Sequence, residues 1–328
     1  MAPIQNARVL FNSVPENYPI PGETTVYDTT QTIDLEAVPL NGGFLIKTLV
    51  LSVDPYFRGR MRKPEKKSYA VRLNLSIYGH GVGLVLRSEN PAVEVGKHVY
   101  GPNILHQEYV VLKELGPATV LEKHPKLPWT AYLGAAGMPG QTAFVGWKEY
   151  SDAKPGEVAF VTTGAGWTKV IASAGSEEKV KFMQSIGADV AFNYKTTDTR
   201  EVLAKEGPID IFWDNVGGDI LDAAIEHAAI NARFLECGSI SGYNGAHTPI
   251  KNMSMVVGKT LHIHGILVFR LLPKYYKEFY DTIPAKLASG ELKYSEDVTK
   301  GLDKVGDVIL AVQKGTNKAK AVVVVAEE

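Results

Sequence analysis

The chain has 328 residues, of which 45% are hydrophobic and 22% charged, the composition of an ordinary soluble protein with room for two cores. A net charge of -1 supplies no field to recruit nucleic acid or an anionic membrane, and no apolar run approaches the roughly 18 residues of a membrane span. The N-terminus lacks the charged and apolar regions of a signal peptide, and Cys237 is the single cysteine, so a reducing compartment, the cytosol, is expected.

From the N-terminus to about residue 125, short extended runs are broken by Gly and Pro. Ala7 to Phe11, Gly43 to Val53, Gly81 to Arg87, His98 to Gly101 and Glu108 to Leu112 read as strands of a mainly β module, a distorted barrel. Helical patterns follow on either side of the break Gly137-Met-Pro-Gly140. Strand and helix signals then alternate. Val158 to Thr162 and Val170 to Ala174 read as strands, and Ser176 can cap a helix from Glu177 to Ile186 that Gly187 ends. Val190 to Phe192 and Ile209 to Trp213 are extended, Asp219 to Ala229 is helical, and Arg233 to Cys237 and Leu261 to Phe269 continue the sheet. A helix from Pro273 to Leu287 and a last run from Lys320 to Val325 suggest a return to the first module. This order predicts a parallel α/β domain after the β module.

Two stretches carry ligand signals. Ile209 to Gly218 ends in Asp-Asn-Val-Gly-Gly, the form of a buried strand emptying into a ligand-facing loop. The turn Thr163-Gly-Ala-Gly-Trp-Thr168 begins like a phosphate cradle, with Gly164 and Gly166 letting backbone approach a pyrophosphate. A plain loop explains Gly-Ala-Gly equally well. Only seven residues separate the two strands around it, whereas a parallel crossover ordinarily takes a dozen or more. The expectation is that these strands are not parallel neighbours, or that one is displaced, and that apolar sheet surface is left uncovered. Weakened cofactor binding would follow.

Seven strings in order carry a resemblance: Leu51-Ser-Val-Asp-Pro-Tyr-Phe-Arg-Gly-Arg-Met61, Gly137-Met-Pro-Gly-Gln-Thr-Ala143, Ala174-Gly-Ser-Glu-Glu-Lys179, Phe192-Asn-Tyr-Lys195, Asp214-Asn-Val-Gly-Gly218, Cys237-Gly-Ser-Ile-Ser-Gly-Tyr-Asn244 and Gly315-Thr-Asn317. With them the chain resembles the medium-chain dehydrogenase/reductase superfamily, in its zinc-free alkenal/one oxidoreductase branch. That branch holds the leukotriene B4 dehydrogenase (prostaglandin reductase) group and the plant double-bond reductases. The resemblance implies a GroES-like β-rich catalytic domain, 1–128 with 305–328, and a Rossmann-like doubly wound parallel sheet, 129–304, truncated after its first strand. It implies NADPH-dependent reduction of the carbon-carbon double bond of α,β-unsaturated aldehydes or ketones, a small hydrophobic enone or enal as substrate, and a homodimer joined through edge strands near Ile263 to Phe269.

The same resemblance selects site residues. The tip after Val170 to Ala174 has Gly175 and Ser176 in place of the acidic residue that accepts from a ribose 2'-hydroxyl. Lys179, by charge alone a solvated lysine, holds a 2'-phosphate in relatives, with Ser176 and Tyr194 completing the pocket. Asn215 is either a satisfied turn residue or a cofactor contact, and the resemblance favours contact. Cys237 reads as a packed thiol lining the cleft. Tyr243 matches the family's active-site tyrosine, whose phenol stabilises the enolate left by hydride delivery to the β-carbon. Asn317 matches an asparagine at the nicotinamide end, although Ala319 stands where the family has glycine. Met138, Thr142, Gly265, Ile266 and Leu267 are lesser cofactor-side candidates, and Tyr56 and Tyr78 are candidates for the substrate rim.

No metal is expected, because one cysteine supplies neither a catalytic Cys/His set nor a four-cysteine site. His80 in Gly-His-Gly lacks the neighbouring glutamate of zinc enzymes, and His262 with His264 reads as a structural pair. Two rivals remain at this level: a quinone oxidoreductase of the same superfamily, and a catalytically impaired remnant disabled by the missing crossover helix.

Overall fold

The computed structural model describes residues 2–63, 73–162 and 169–328. Two compact units divide the chain, Met1–Pro139 with Thr282–Glu328, and Gly140–Asp281.

The first unit is built on a mixed sheet. Strands pair in the order Thr119–Val120, His98–Leu105, Tyr78–Ser88, Phe44–Ser52, Lys320–Val324 and Glu296–Lys300, and Tyr109–Leu112 also pairs with Phe44–Ser52. All these pairs are antiparallel except Lys320–Val324 with Glu296–Lys300. The final run Lys320–Val324 therefore does return to the first module. So does the strand Glu296–Lys300, which the expected boundary at residue 304 places in the second domain. Phe11, Phe44, Ile46, Leu51, Val99 and Val323 are among the fully buried residues of its core.

The second unit is a six-stranded sheet in which every pairing is parallel. Its strands are β1 (Val158–Val161), β2 (Lys169–Ala174), β3 (Val190–Asn193), β4 (Ile209–Asp214), β5 (Ala228–Glu236) and β6 (His262–Gly265). They lie in the order 3-2-1-4-5-6, that of a doubly wound dinucleotide-binding sheet. The helices are α1 (Met138–Tyr150), α2 (Glu177–Ser185), α3 (Thr199–Glu206), α4 (Gly218–Glu226) and α5 (Val268–Ser289). Alternation along the strands makes two cores. On one face Phe192, Phe160, Phe212 and Phe234 line up beside Leu203 of α3 and Ala223 and Ala224 of α4. On the other face Trp147 and Tyr150 of α1 pack on Ala159, Val161, Val170, Ile211, Trp213 and Leu235, while Val180 and Met183 of α2 pack on Ala172 and Ala174.

The expectation about β1 and β2 is overturned. They are parallel neighbours, with Val158, Ala159, Phe160 and Val161 opposite Lys169, Val170, Ile171 and Ala172. The physical reason is reach. Returning along a four-residue strand needs only about 13 Å, and eight Cα steps can span about 27 Å. A long crossover is required by a helix and not by the return itself. The uncovered face is also absent at these strands: Ala159, Val161, Val170 and Ala172 are all buried, since α1 and α2 close over small side chains.

Smaller differences concern boundaries. The run 261–269 is a strand only over His262–Gly265, and α5 begins at Val268, so Pro273 lies inside the helix instead of opening it. The helix expected to reach Ala229 ends at Glu226, because β5 starts at Ala228 to pair with Ile209.

Candidate active site

At the topological switch point, between β1 and β4, the ends of the two strands are tied by side chains. Asn215 donates from its backbone N–H (3.3 Å) and from Nδ2 (3.1 Å) to Thr162 Oγ1, whose hydroxyl donates to Trp213 O. The amide nitrogen of Asn215 is thus satisfied by Thr162, as a turn residue's would be, at the strand ends where sheets of this order receive ligands. Asp214, fully buried, accepts from the N–H of Val216 (2.7 Å) and Gly217 (2.9 Å) and so fixes the turn into α4. Gly217 has φ +68°, and a Cβ there would stand 2.2 Å from Ser239 Oγ. Only glycine fits that approach of the loop after β5.

That loop follows Glu236, the β5 partner of Asp214. Burial, then the charge of Asp214 and their shared hydrogen bond, push the Glu236 carboxyl up to about 8. Burial also raises Asp214, while its backbone donors oppose the shift, so the shared proton resides on Glu236. Burial, then Asp214 and Glu236, push the Cys237 thiol up to about 11, which leaves it protonated at neutral pH and a poor nucleophile. Tyr243 ends the loop. Its hydroxyl accepts from Ser239 N at 3.3 Å and stands beside Gly238. An accepting hydroxyl keeps its proton to donate.

The residues expected at the ribose end lie around β2, α2 and β3. Ser176 caps α2 as the sequence predicts, with Oγ accepting from Lys179 N, and Glu177 and Glu178 occupy the first turn. Tyr194 follows β3, donates its N–H to Ala174 O, and is 46% exposed. A Cβ on Gly175 would lie 2.8 Å from Tyr194 Oη and 3.2 Å from Lys195 Cε. Gly175, Ser176 and Tyr194 are therefore together, and Lys179 sits one turn into the helix whose cap is Ser176. Lys195 was missed by sequence reasoning, although it closes the string Phe192-Asn-Tyr-Lys195. Thr162 and Ser239 were missed too, since their roles depend on pairing between distant strands.

The remaining candidates are dispersed. Gly164 and Gly166 lie outside the described residues. Met138 opens α1 and Thr142, buried, lies in its second turn. Gly265 ends β6, Ile266 donates its N–H to Glu236 O and is buried, and Leu267 is half exposed. In the first unit, Asn317 donates Nδ2 to Ala319 O at 2.7 Å and lines a cleft of about 210 Å³ with Asp297, Thr299 and Asp307. Also in that unit, the Arg60 guanidinium lies 4.6 Å from the Tyr56 ring centre and 4.1 Å from that of Tyr78, which joins the two rim candidates. Tyr56 Oη lies 3.4 Å from His80 Nδ1, and burial holds the His80 imidazole down to about 4, so it is neutral at pH 7. Among the described residues, no group of three His, Cys, Asp or Glu side chains is placed to hold a metal. His264 stacks on Tyr150 at 4.5 Å, and His262 on His264 at 6.5 Å, a packing arrangement.

Known proteins bear on this geometry. Residues 20–120 match the family described as the N-terminal domain of oxidoreductase, and residues 158–285 the zinc-binding dehydrogenase family. The chain is 34% identical to a 2-alkenal reductase (NADP(+)-dependent) of Nicotiana tabacum, with 99% of each chain covered. It is also 34% identical to a (+)-pulegone reductase of Mentha piperita, over 91% of this chain and 93% of that one. The crystal structure of CurA in complex with NADPH from Vibrio vulnificus superposes with a TM-score of 0.86 at 29% identity, covering 98% of this chain and all of that one. The chain belongs to the medium-chain dehydrogenase/reductase superfamily, in its zinc-independent alkenal and enone reductase branch.

Proposed function

We propose that this chain reduces the activated carbon-carbon double bond of α,β-unsaturated aldehydes and ketones with NADPH. The observation that carries the reading is the loop after β5, where the Tyr243 hydroxyl is held by Ser239 N–H with its own proton left to donate. The relatives are consistent in kind: one is named as an alkenal reductase, one as a pulegone reductase, and the CurA structure contains NADPH.

The residues fit the cofactor. The strand ends at Thr162 and Asn215 give the switch-point crevice, and Gly175 leaves open backbone beneath Tyr194 where a side chain would fill the space. Lys179, Ser176 and Tyr194 would hold the 2'-phosphate, and Asn215, Cys237 and the segment Gly265 to Leu267 would flank the remainder. Asn317 is assigned to the nicotinamide end, and Met138 and Thr142 are lesser cofactor-side candidates. NADPH supplies a hydride to the β-carbon of the substrate. Charge then develops on the carbonyl oxygen, where the Tyr243 O–H donates a hydrogen bond, and the α-carbon of the enolate takes its proton from solvent. Tyr56 and Tyr78 are assigned to the substrate rim. Cys237, protonated, lines the site without attacking anything.

Assembly and location belong to the same reading. We place the protein in the cytosol as a homodimer joined through β6, an edge strand with Ile263 exposed by 44%, and through the segment after it, with Leu267 and Phe269 exposed by 49% and 54%. A monomeric mass by light scattering at micromolar concentration would reject the dimer. Among the described residues no helix is long and apolar enough to cross a membrane.

The deciding assay compares 2-nonenal with a simple quinone under matched NADPH concentrations. Preference for the enal supports the reading, and preference for the quinone supports its rival. Tyr243→Phe should lower enal turnover by about tenfold to a hundredfold without lowering thermal stability much. Unchanged turnover, with chemistry shown to limit the rate by a deuteride isotope effect, removes Tyr243 from the mechanism.

A further inference from the structure

Lys195 is a cation beside Gly175 that the function above leaves unused. Its Cε lies 3.2 Å from the point a Gly175 Cβ would occupy, which puts its ammonium one bond from that contact. Its position is set by backbone: Tyr194 N donates to Ala174 O, and Lys195 N donates to Asn193 Oδ1 at 3.1 Å. Asn193 in turn donates Nδ2 to Glu177 Oε1 at 2.9 Å, which occupies one oxygen of a carboxylate in the first turn of α2. Among the described residues no carboxylate is paired with Lys195, whereas Lys169, at the start of the neighbouring strand β2, is paired with Glu206.

We propose that Lys195 is a second cation for the cofactor's 2'-phosphate and, with Lys179, sets the preference for NADPH over NADH. The inference rests on the NADPH reading. Three groups surround Gly175: the Ser176 hydroxyl, whose oxygen accepts from Lys179 N and whose proton remains to donate, the Tyr194 hydroxyl, and the Lys195 ammonium. A dianionic phosphate above a residue without a side chain can accept from all three. The absent Cβ is therefore part of the selectivity, because any side chain at 175 displaces Tyr194 and Lys195 together. Lys195 is exposed, so its share is smaller and more salt-sensitive than that of the half-buried Lys179.

The test is titration of NADPH and of NADH, by cofactor fluorescence, into the full chain and into Lys195→Ala, Lys195→Arg and Lys179→Ala. Lys195→Ala should weaken NADPH binding about fivefold to twentyfold and leave NADH within about twofold. Lys195→Arg should restore NADPH binding to within about threefold of the unaltered chain, and 0.5 M KCl should shrink the loss. Equal losses for both cofactors, or no loss for either, overturn the proposal. If Lys179→Ala loses NADPH selectively while Lys195→Ala does not, the NADPH reading stands and the role of Lys195 falls. If the unaltered chain binds NADPH no tighter than NADH, both fall.

Discussion

Within one parallel sheet, the crossing from β1 to β2 and the crossing from β4 to β5 do the same topological work by different means. The second uses residues 215–227 and a full helix, α4, entered through a turn that buried Asp214 and Gly217 specify. The first has only residues 162–168 between the paired strands, yet its register is as regular as that of its neighbours. Its cover comes from outside the crossing, from Trp147 and Tyr150 of α1 and from α2. A crossover helix thus contributes cover and a helix N-terminus, while strand order depends on the buried faces and on the reach of the chain. The half of the sheet that leads to Asn215 and to the Tyr243 loop carries its own crossover helix, and what is short is the connection between β1 and β2.

If the second crossing is specified by its turn, breaking that turn should have the largest effect. Gly217→Val combines a positive φ with a Cβ 2.2 Å from Ser239 Oγ and should cost about 3 kcal/mol or more of unfolding free energy. Urea unfolding followed by tryptophan fluorescence reads this, and a loss under about 0.5 kcal/mol would mean that the 239–243 loop yields. The first crossing should respond to loss of borrowed cover instead. Trp147→Ala should cost about 2 kcal/mol, because Trp147 is half-buried against the β1, β2 and β4 face. If it costs nothing, some other group closes that face and the contrast fails.

A smaller effect sharpens the contrast through pH. The Glu236 carboxyl lies far above its ordinary value in the folded chain, so the fold binds its proton more tightly than the unfolded chain does. That contribution is fully present below about pH 4.5 and is lost as pH rises through about 8, at up to about 1.4 kcal/mol per pH unit within that window. Glu236→Gln keeps a donor for Asp214 and should flatten the decline in melting temperature between pH 6 and 9. An identical slope in the variant would remove the carboxyl pair as its cause.

Much of this architecture was legible in the residues. The apolar runs at 158–161 and 209–214, the Ser176 cap and the Asp-Asn-Val-Gly-Gly turn each encode their geometry within a few neighbours. What escaped was set at a distance. The helix α3 has a polar sequence with little amphipathic signal, although Asp198 followed by Glu201 is a capping pattern that would have found it. Pro273 lies inside α5 and not at its start, because packing of Leu271 beside Ile266 carries the helix back to Val268. The pairing of β1 with β2 is set by the reach of the connection, which a usual crossover length does not measure. In the site, Thr162, Ser239 and Lys195 gain their roles from residues 53, 22 and 20 positions away, at Asn215, Gly217 and Gly175.

A sheet with so short a first crossing is predicted still to bind the cofactor. Calorimetric titration of NADPH into the unmodified chain tests it most directly. Saturable binding at one site per chain, with a dissociation constant of about 10 μM or tighter, is the predicted result. A folded chain that shows no saturable heat with NADPH, while a variant lengthened by a helix in the 163–168 connection binds stoichiometrically, would contradict the account and leave the natural chain a remnant of the reductase fold.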